Sequence, residues 1–389
     1  MARRVAIVAV AQTKYDDLSQ TNWKYNWEEL LYQSVKPVLE ETGLTFTEDG
    51  TGIDASISCH DSIWAGSPFS AGKTDDVLGT HFRPGEKIDA DGAMGVTEAL
   101  CQIASGDFDI VIVGGVNIDS AAPRNKVENY CFDPFYQRLM GLDMTSAAAL
   151  QAQRYMYRYG ITREQCARVV VKSRRNAKNN PYAFATEDLT VEDVLRSKML
   201  AYPITALEIK PMVDGSCTMI LAEEEKAKRI TDKPIWIKAV KNCYDGYYLG
   251  DRDLADCKSL EVAAQGAYQT AGITDPRKEI DVADIGAYFS YHELLWCEGL
   301  GFCGKGEGGK LLDSGATEMG GEIPINPSGG ALAGSPYTVE GLARIAEAVL
   351  QLRGEAGARQ VPEAKTALAH ATLGACGQWQ QVMILGKEI

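Results

Sequence analysis

Histidine is scarce in this chain, with four in 389 residues, at His60, His81, His292 and His370. Its ten cysteines are scattered, and no two form a Cys-x-x-Cys pair. Structural zinc sites are built from such closely spaced ligands, so no metal site is expected within this chain. Without an export signal the thiols are expected to stay reduced, most of them as small buried hydrophobes. No apolar run approaches the ~20 residues that span a bilayer. Positive charge is also short: 39 Lys and Arg face 53 Asp and Glu, a formal net charge of -14. That argues against nucleic acid as the main partner, because phosphate binding needs clustered cations. The opening Met1-Ala2-Arg3-Arg4 precedes a short apolar stretch that runs into polar Gln12-Thr13-Lys14. It reads as a first β-strand rather than a signal peptide, and a soluble cytoplasmic protein is expected. Low-complexity segments and short-period repeats are absent, which excludes a solenoid.

What is present is an alternation. Strand-like Val5–Val10 is followed by a helical pattern over 27–41, another over 95–104, and a β-branched run over 108–113 ended by Gly114-Gly115. This order predicts an α/β protein with helices packed on sheets. A second round begins near Pro234–Val240 and closes on two strands, 366–370 and 381–385, around a glycine-containing turn. The 45% hydrophobic content suffices for two fused units with substantial cores. The charged stretch Glu223–Lys228 and Asp232-Lys233-Pro234 punctuate the join, so the expected units are 1–230 and 231–389.

The most informative segment is 323–341, Ile-Pro-Ile-Asn-Pro-Ser-Gly-Gly-Ala-Leu-Ala-Gly-Ser-Pro-Tyr-Thr-Val-Glu-Gly. Gly329 and Gly330 lack a Cβ, so their backbone can approach a ligand closely. An amphipathic run, Leu342–Leu350, follows at helical spacing. This segment resembles the C-terminal signature of the thiolase superfamily, keeping Asn326, Gly329, Gly330, Gly334 and Pro336 but with Ser335 at the catalytic histidine position. Further blocks resemble the branch related to the thiolase part of sterol carrier protein x. They are Val5–Thr13, Ile103–Asp107 with Val111–Gly115, Lys172–Ala177 with Asn180–Ala183, Asp214-Gly215 with Met219–Leu221, and Leu300–Glu307. The resemblance spans nearly the whole chain in order. It implies the thiolase fold: two similar βαβαβαββ halves in a five-layer αβαβα arrangement, with an inserted loop region at about 117–210.

The family's chemistry is altered at each motif. Its nucleophilic Cys-x-x-Gly falls on Asp89-Ala90-Asp91-Gly92 or on Gly92-Ala93-Met94-Gly95, and neither holds a cysteine. Asp89 or Asp91 would serve there as a site residue or as a helix cap. Cys101 lies two to three turns into the helix and is read as packing. At the second motif the acid/base positions become Gly286 and Ala287, leaving Tyr288, Tyr291 and His292 as nearby groups able to hold or move a proton. In the third motif Cys376 keeps a cysteine in Gly374-Ala375-Cys376-Gly377-Gln378-Trp379, with Trp379 where the family has glycine. Tyr337 lies close to a tyrosine used by retro-aldolase relatives. His370 is read as a core residue.

The resemblance implies an enzyme that makes or breaks a carbon–carbon bond beside a coenzyme A thioester. Asn326 with the Gly329-Gly330 amides are the candidate oxyanion hole, and Tyr288, His292, Tyr337 and Cys376 the candidate proton carriers. Lys172, Arg174 and Arg175 are candidates for the coenzyme A phosphates. A β-ketoacyl-CoA thiolase of the benzoylsuccinyl-CoA type is expected, with a retro-aldol lyase or a non-catalytic coenzyme A-binding subunit as alternatives. The resemblance also implies a homodimer core joined by a small zinc-ribbon/OB-fold subunit.

Overall fold

The computed structural model describes residues 3–21, 24–46, 52–66 and 70–388. The chain begins with β1 (Val5–Gln12), α1 (Trp27–Thr42), β2 (Ala55–Cys59), α2 (Ser62–Ala65), β3 (Gly85–Ile88), α3 (Gly92–Ser105) and β4 (Ile110–Ile118). An excursion follows through α4 (Arg124–Tyr130), α5 (Met144–Tyr159), α6 (Arg163–Ala177), α7 (Val191–Arg196), β5 (Met199–Ala201) and β6 (Ile204–Thr205). The chain then returns in β7 (Asp214–Glu223), α8 (Glu224–Ile230) and β8 (Ile235–Tyr244). The remainder comprises α9 (Lys258–Ala271), α10 (Pro276–Glu279), β9 (Val282–Ile285), α11 (Ser290–Gly299), α12 (Gly308–Asp313), α13 (Glu340–Arg353), β10 (Thr366–Leu373) and β11 (Trp379–Gly386).

Nine strands join in the order β3-β2-β4-β7-β1-β8-β11-β10-β9, while β5 and β6 form a separate hairpin. The halves meet where β1 pairs antiparallel with β8 at Ala6–Trp236 and Ile7–Ile235. Helices α3 and α13 form the middle layer between the two half-sheets. Their apolar faces (Val96, Ala99 and Ile103; Leu342, Ile345 and Val349) share one core with inward residues of β2, β4, β7 and β10. On the outer side of the first half-sheet, Leu31, Val35 and Val38 of α1 pack on Val8, Ile112 and Ile220. On the outer side of the second, α9 and α11 pack Leu260, Ala264, Leu294 and Trp296 onto Leu368 and Ile384. The layers are therefore α, β, α, β, α.

Local chemistry explains the main boundaries. Asn26 and Glu29 form a capping box at the start of α1, and Gly43, at φ 67°, ends it in the left-handed conformation. The Gly114-Gly115 pair does not end β4 as expected from sequence; the strand continues to Ile118. A Cβ at Gly114 would lie 2.7 Å from Leu78, and one at Gly115 would lie 2.5 Å from Leu342, so both glycines admit neighbouring layers.

The first half follows βαβαβαββ with the excursion inserted before its last strand. The second half departs from that pattern. Where its third strand would stand, Ile325 makes only an isolated parallel bridge to Ala283. Pro324 and Pro327 flank that point and carry no N–H for a ladder. All ten cysteines are free, six of them buried.

Candidate active site

Four connecting segments converge beside the N-terminal ends of the two middle helices. Asp119 follows β4, Lys210 precedes β7, Tyr288 follows β9 and Tyr337 precedes α13. The Tyr337 backbone N–H donates to both Asp119 carboxylate oxygens at 3.1 Å. Lys210 Nζ is 3.4 Å from Asp119 Oδ2 and donates to the Ser335 carbonyl at 2.8 Å. The Lys210 backbone N–H donates to the Tyr288 carbonyl at 2.8 Å. The lysine nitrogen lies 5.5 Å from the Tyr288 ring centroid and 5.6 Å from that of Tyr337, within cation–π range.

Two neighbouring cavities border this cluster. The outer one, about 190 Å³, is lined by Asp61, Asp89, Phe132, Gln137, Tyr247 and Tyr337 among others. The inner one, about 30 Å³, is walled by Arg124, Glu128, Lys210, Tyr288, His292 and Cys376, among others. Tyr337, Met144 and Gly374 line both. The inner space has room for a water-sized group, which suits reacting atoms while the bulk of a ligand stays outside.

Burial raises both tyrosine hydroxyls well above their ordinary pKa. Asp91 and Glu340 add to the effect at Tyr288, and Cys131, Asp61 and Glu128 at Tyr337. Both hydroxyls therefore remain protonated at neutral pH and act as donors. Tyr288 donates to the Thr372 carbonyl at 2.8 Å, whereas the Tyr337 hydroxyl has no protein partner among the described residues. His292 is pushed down to about 3 by burial and nearby His370, so its ring is neutral; neither nitrogen has a partner. Its ring stacks on Trp296 at 4.5 Å. Cys376 occupies a turn with φ 55°, an uncommon conformation for a non-glycine residue. Its thiol donates to the Ala147 carbonyl at 3.2 Å, and burial pushes its pKa up to about 12.

Both expected registers fall at the start of α3. Asp91 caps the helix, accepting from Ala93 N–H at 2.8 Å, and also accepts from Gly341 N–H at 3.0 Å, which ties α3 to α13. Gly92 is the first helical residue. A Cβ there would stand 2.5 Å from Leu342 Cγ, so a thiol-bearing side chain would require Leu342 to shift. The family histidine position is filled by Ser335, whose hydroxyl donates to Glu340.

Of the residues expected from sequence, Cys376, Tyr337, Tyr288 and His292 come together around the inner cavity. Asp89 lines the outer one. Its carboxylate accepts from Ser62 N at 2.8 Å and Lys87 Nζ at 3.1 Å. Burial raises its pKa, but these bonds outweigh that and hold it below the usual range.

Other expectations need correction. Asn326 is engaged at both ends, accepting from Ile285 N–H at 2.7 Å and donating to Glu293 at 2.9 Å. The Gly329 amide donates to Asn326 O and the Gly330 amide to Ser328 Oγ, both at 3.0 Å. These bonds brace a buried loop and engage both glycine amides, leaving one N–H of the Asn326 side chain. Lys172 is buried against Glu293 at 2.6 Å, and Arg174 is buried with partners Glu187 and the Leu332 carbonyl. Neither faces solvent where a coenzyme A phosphate would lie. Arg175 is exposed and paired with Glu318. Sequence reasoning did not single out Lys210, Asp119 or Glu128. A lone cation between Ile209 and Pro211, just before a buried strand, was the available signal for Lys210.

Comparison with known proteins matches the chain to two family descriptions. "Thiolase, N-terminal domain" covers residues 85–225, and "Thiolase C-terminal domain-like" covers residues 243–387. The chain is 33% identical over 394 residues to an acetyl-CoA acetyltransferase of Methanothermobacter thermautotrophicus, covering 99% of this chain and 100% of the relative. It is 35% identical over 239 residues to the benzoylsuccinyl-CoA thiolase subunit BbsB of Thauera aromatica, covering 61% of this chain and 62% of the relative. Among solved structures, the Ltp2-ChsH2(DUF35) aldolase superposes with a TM-score of 0.82 at 22% identity, covering 99% of this chain and 98% of that one. Among the described residues no helix is long and apolar enough to cross a membrane.

Proposed function

The chain belongs to the thiolase family, and from that premise we propose how its altered site works. By family it is a thiolase-like acyltransferase of the sterol-carrier-protein branch, an enzyme of acyl-CoA carbon–carbon bonds with coenzyme A as part of its substrate. Among reactions at acyl-CoA carbon–carbon bonds the geometry best supports a departure from acyl transfer, aldol chemistry: reversible cleavage of a 3-hydroxyacyl-CoA to a carbonyl compound and a shorter acyl-CoA. One observation carries this reading. The position that would bear the acyl-accepting thiol is Gly92, closed by Leu342, while Tyr288, Tyr337 and Lys210 converge on the cavity.

Aldol cleavage needs no acyl-enzyme. It needs a donor array for the enolate oxygen of the thioester and a group that moves one proton. Lys210 Nζ and the Tyr337 hydroxyl supply donors from buried positions, where such interactions count for more than in water. The test is whether the purified chain, with any subunit that copurifies, cleaves 3-hydroxyacyl-CoA without consuming free coenzyme A. Cleavage that stops when free coenzyme A is withdrawn would reject the reading. Binding of coenzyme A with no turnover at all would favour a non-catalytic subunit.

A second reading is thiolysis of a β-ketoacyl-CoA of the benzoylsuccinyl type. The similarity to the Thauera aromatica subunit favours it, as does Cys376 on the cavity wall. Assembly as a dimer with a small zinc-ribbon subunit belongs to the same proposal. Phe135, Tyr136, Leu139 and Met140, each at least 69% exposed, form an apolar segment beside the outer cavity wall at Phe132 and Gln137, and support it. An active monomer in light scattering would rule that assembly out.

A further inference from the structure

Glu128 lies on α4, in the wall of the inner cavity, and its carboxylate is the only one among the described residues lining that space. Oε1 is 3.5 Å from Arg124 Nε. Oε2 is sealed from solvent and accepts no hydrogen bond from the described residues. A buried carboxylate oxygen without a donor is costly, and such groups gather where chemistry is done. The other cavity groups leave little choice of base. Arg124 and Lys210 are donors only. Tyr288 and Tyr337 are held protonated, Cys376 directs its thiol at Ala147 O, and His292 is too weakly basic to hold a proton at neutral pH.

We propose that Glu128 is the proton-transfer base of this site, taking the proton from the C3 hydroxyl of a 3-hydroxyacyl-CoA and delivering it to C2 of the departing enolate. The inference rests on the aldol reading above. As the C2–C3 bond breaks, its electron pair passes to C2 and the thioester oxygen, and C3–O becomes a carbonyl. The proton that left oxygen ends on C2, so the two products sum to the substrate and nothing is oxidised or reduced. Burial pushes Glu128 up to about 7 against the opposing charge of Arg124; Asp143 and Asp119 also raise it, and Lys210 lowers it. A base near neutrality is well matched to proton transfer at working pH.

The return half of the step can be read with acetyl-CoA in D2O, following deuterium at C2 by mass spectrometry. The wild-type protein should exchange, more slowly as pH falls through about 7 and Glu128 is protonated. Glu128→Gln should exchange ~10²–10⁴-fold more slowly, as for a lost general base, and lack that pH limb. Glu128→Asp should recover part of the rate together with the limb. An unchanged coenzyme A Kd and melting temperature in Glu128→Gln would separate this loss from misfolding. Exchange by Glu128→Gln at the wild-type rate, or with the limb intact, overturns the proposal. A wild type that exchanges nothing overturns it together with the aldol reading. A strict need for free coenzyme A would remove the aldol reading alone, because thiolysis also passes through the enolate that Glu128 would serve.

Discussion

A side chain at position 92 would put its Cβ 2.5 Å from Leu342 and 3.1 Å from the Thr338 carbonyl. A cysteine at this position would therefore require Leu342 to shift. Cys376 does not replace the family's nucleophile well: with a pKa near 12 it holds almost no thiolate at neutral pH, and the thiolate is the nucleophile. Tyr337→Phe removes the one tyrosine hydroxyl in the inner cavity with no protein partner among the described residues, and should lower turnover by ~10²–10³-fold, as for one lost oxyanion donor. Cys376→Ser should leave turnover within about tenfold, since a hydroxyl can still donate to Ala147 O. Steady-state assays of the two variants decide this, and the reverse ranking would favour thiolysis. Four residues of the inner cavity, Tyr288, His292, Tyr337 and Cys376, were named from sequence because they sit in or beside the resembling motifs. Lys210, Asp119 and Glu128 were not. Lys210 and Asp119 meet across 91 residues, and no local pattern encodes that meeting.

At the scale of elements, the middle layer depends on a carboxylate. Asp91 joins the start of α3 to Gly341 of α13, and burial first, then Glu340, push it up to about 7. A carboxyl raised in the folded state gives stability that is fully present below its unfolded value of 3.8 and lost as pH rises through about 7. At 1.36 kcal/mol per pKa unit, that share is at most roughly 4 kcal/mol. Denaturant unfolding at pH 5 and pH 8 should show wild type losing stability over this range. Asp91→Asn, which cannot titrate, should lose less; equal losses would show that Asp91 is not responsible. Helices α1, α3 and α13 and strands β1, β4, β8, β10 and β11 were readable from periodicity. The second half's third strand was not, because the resemblance implied a full strand whereas the prolines at 324 and 327 leave only a bridge. Helix α6 was misjudged for the opposite reason. Its Lys172 and Arg174 look like a solvated basic face, yet they are buried by Glu293 and by the loop carrying Leu332.

At the scale of the molecule, the two halves share a middle layer of α3 and α13, and the cavity is lined from the segments around it, by Asp89, Lys210, Tyr288 and Tyr337 among others. The order of blocks along the chain was enough to read the five layers. The chemistry was less legible, because an altered motif says which group is missing and not which group replaces it. The central claim is that carbon–carbon bond cleavage proceeds here with no covalent acyl-enzyme. Intact-mass spectrometry of the full chain after incubation with acyl-CoA tests it most directly. The account predicts an unmodified mass under conditions where the protein turns over substrate. An adduct of one acyl group, mapped to Cys376 or any other thiol and formed fast enough to support turnover, would contradict it.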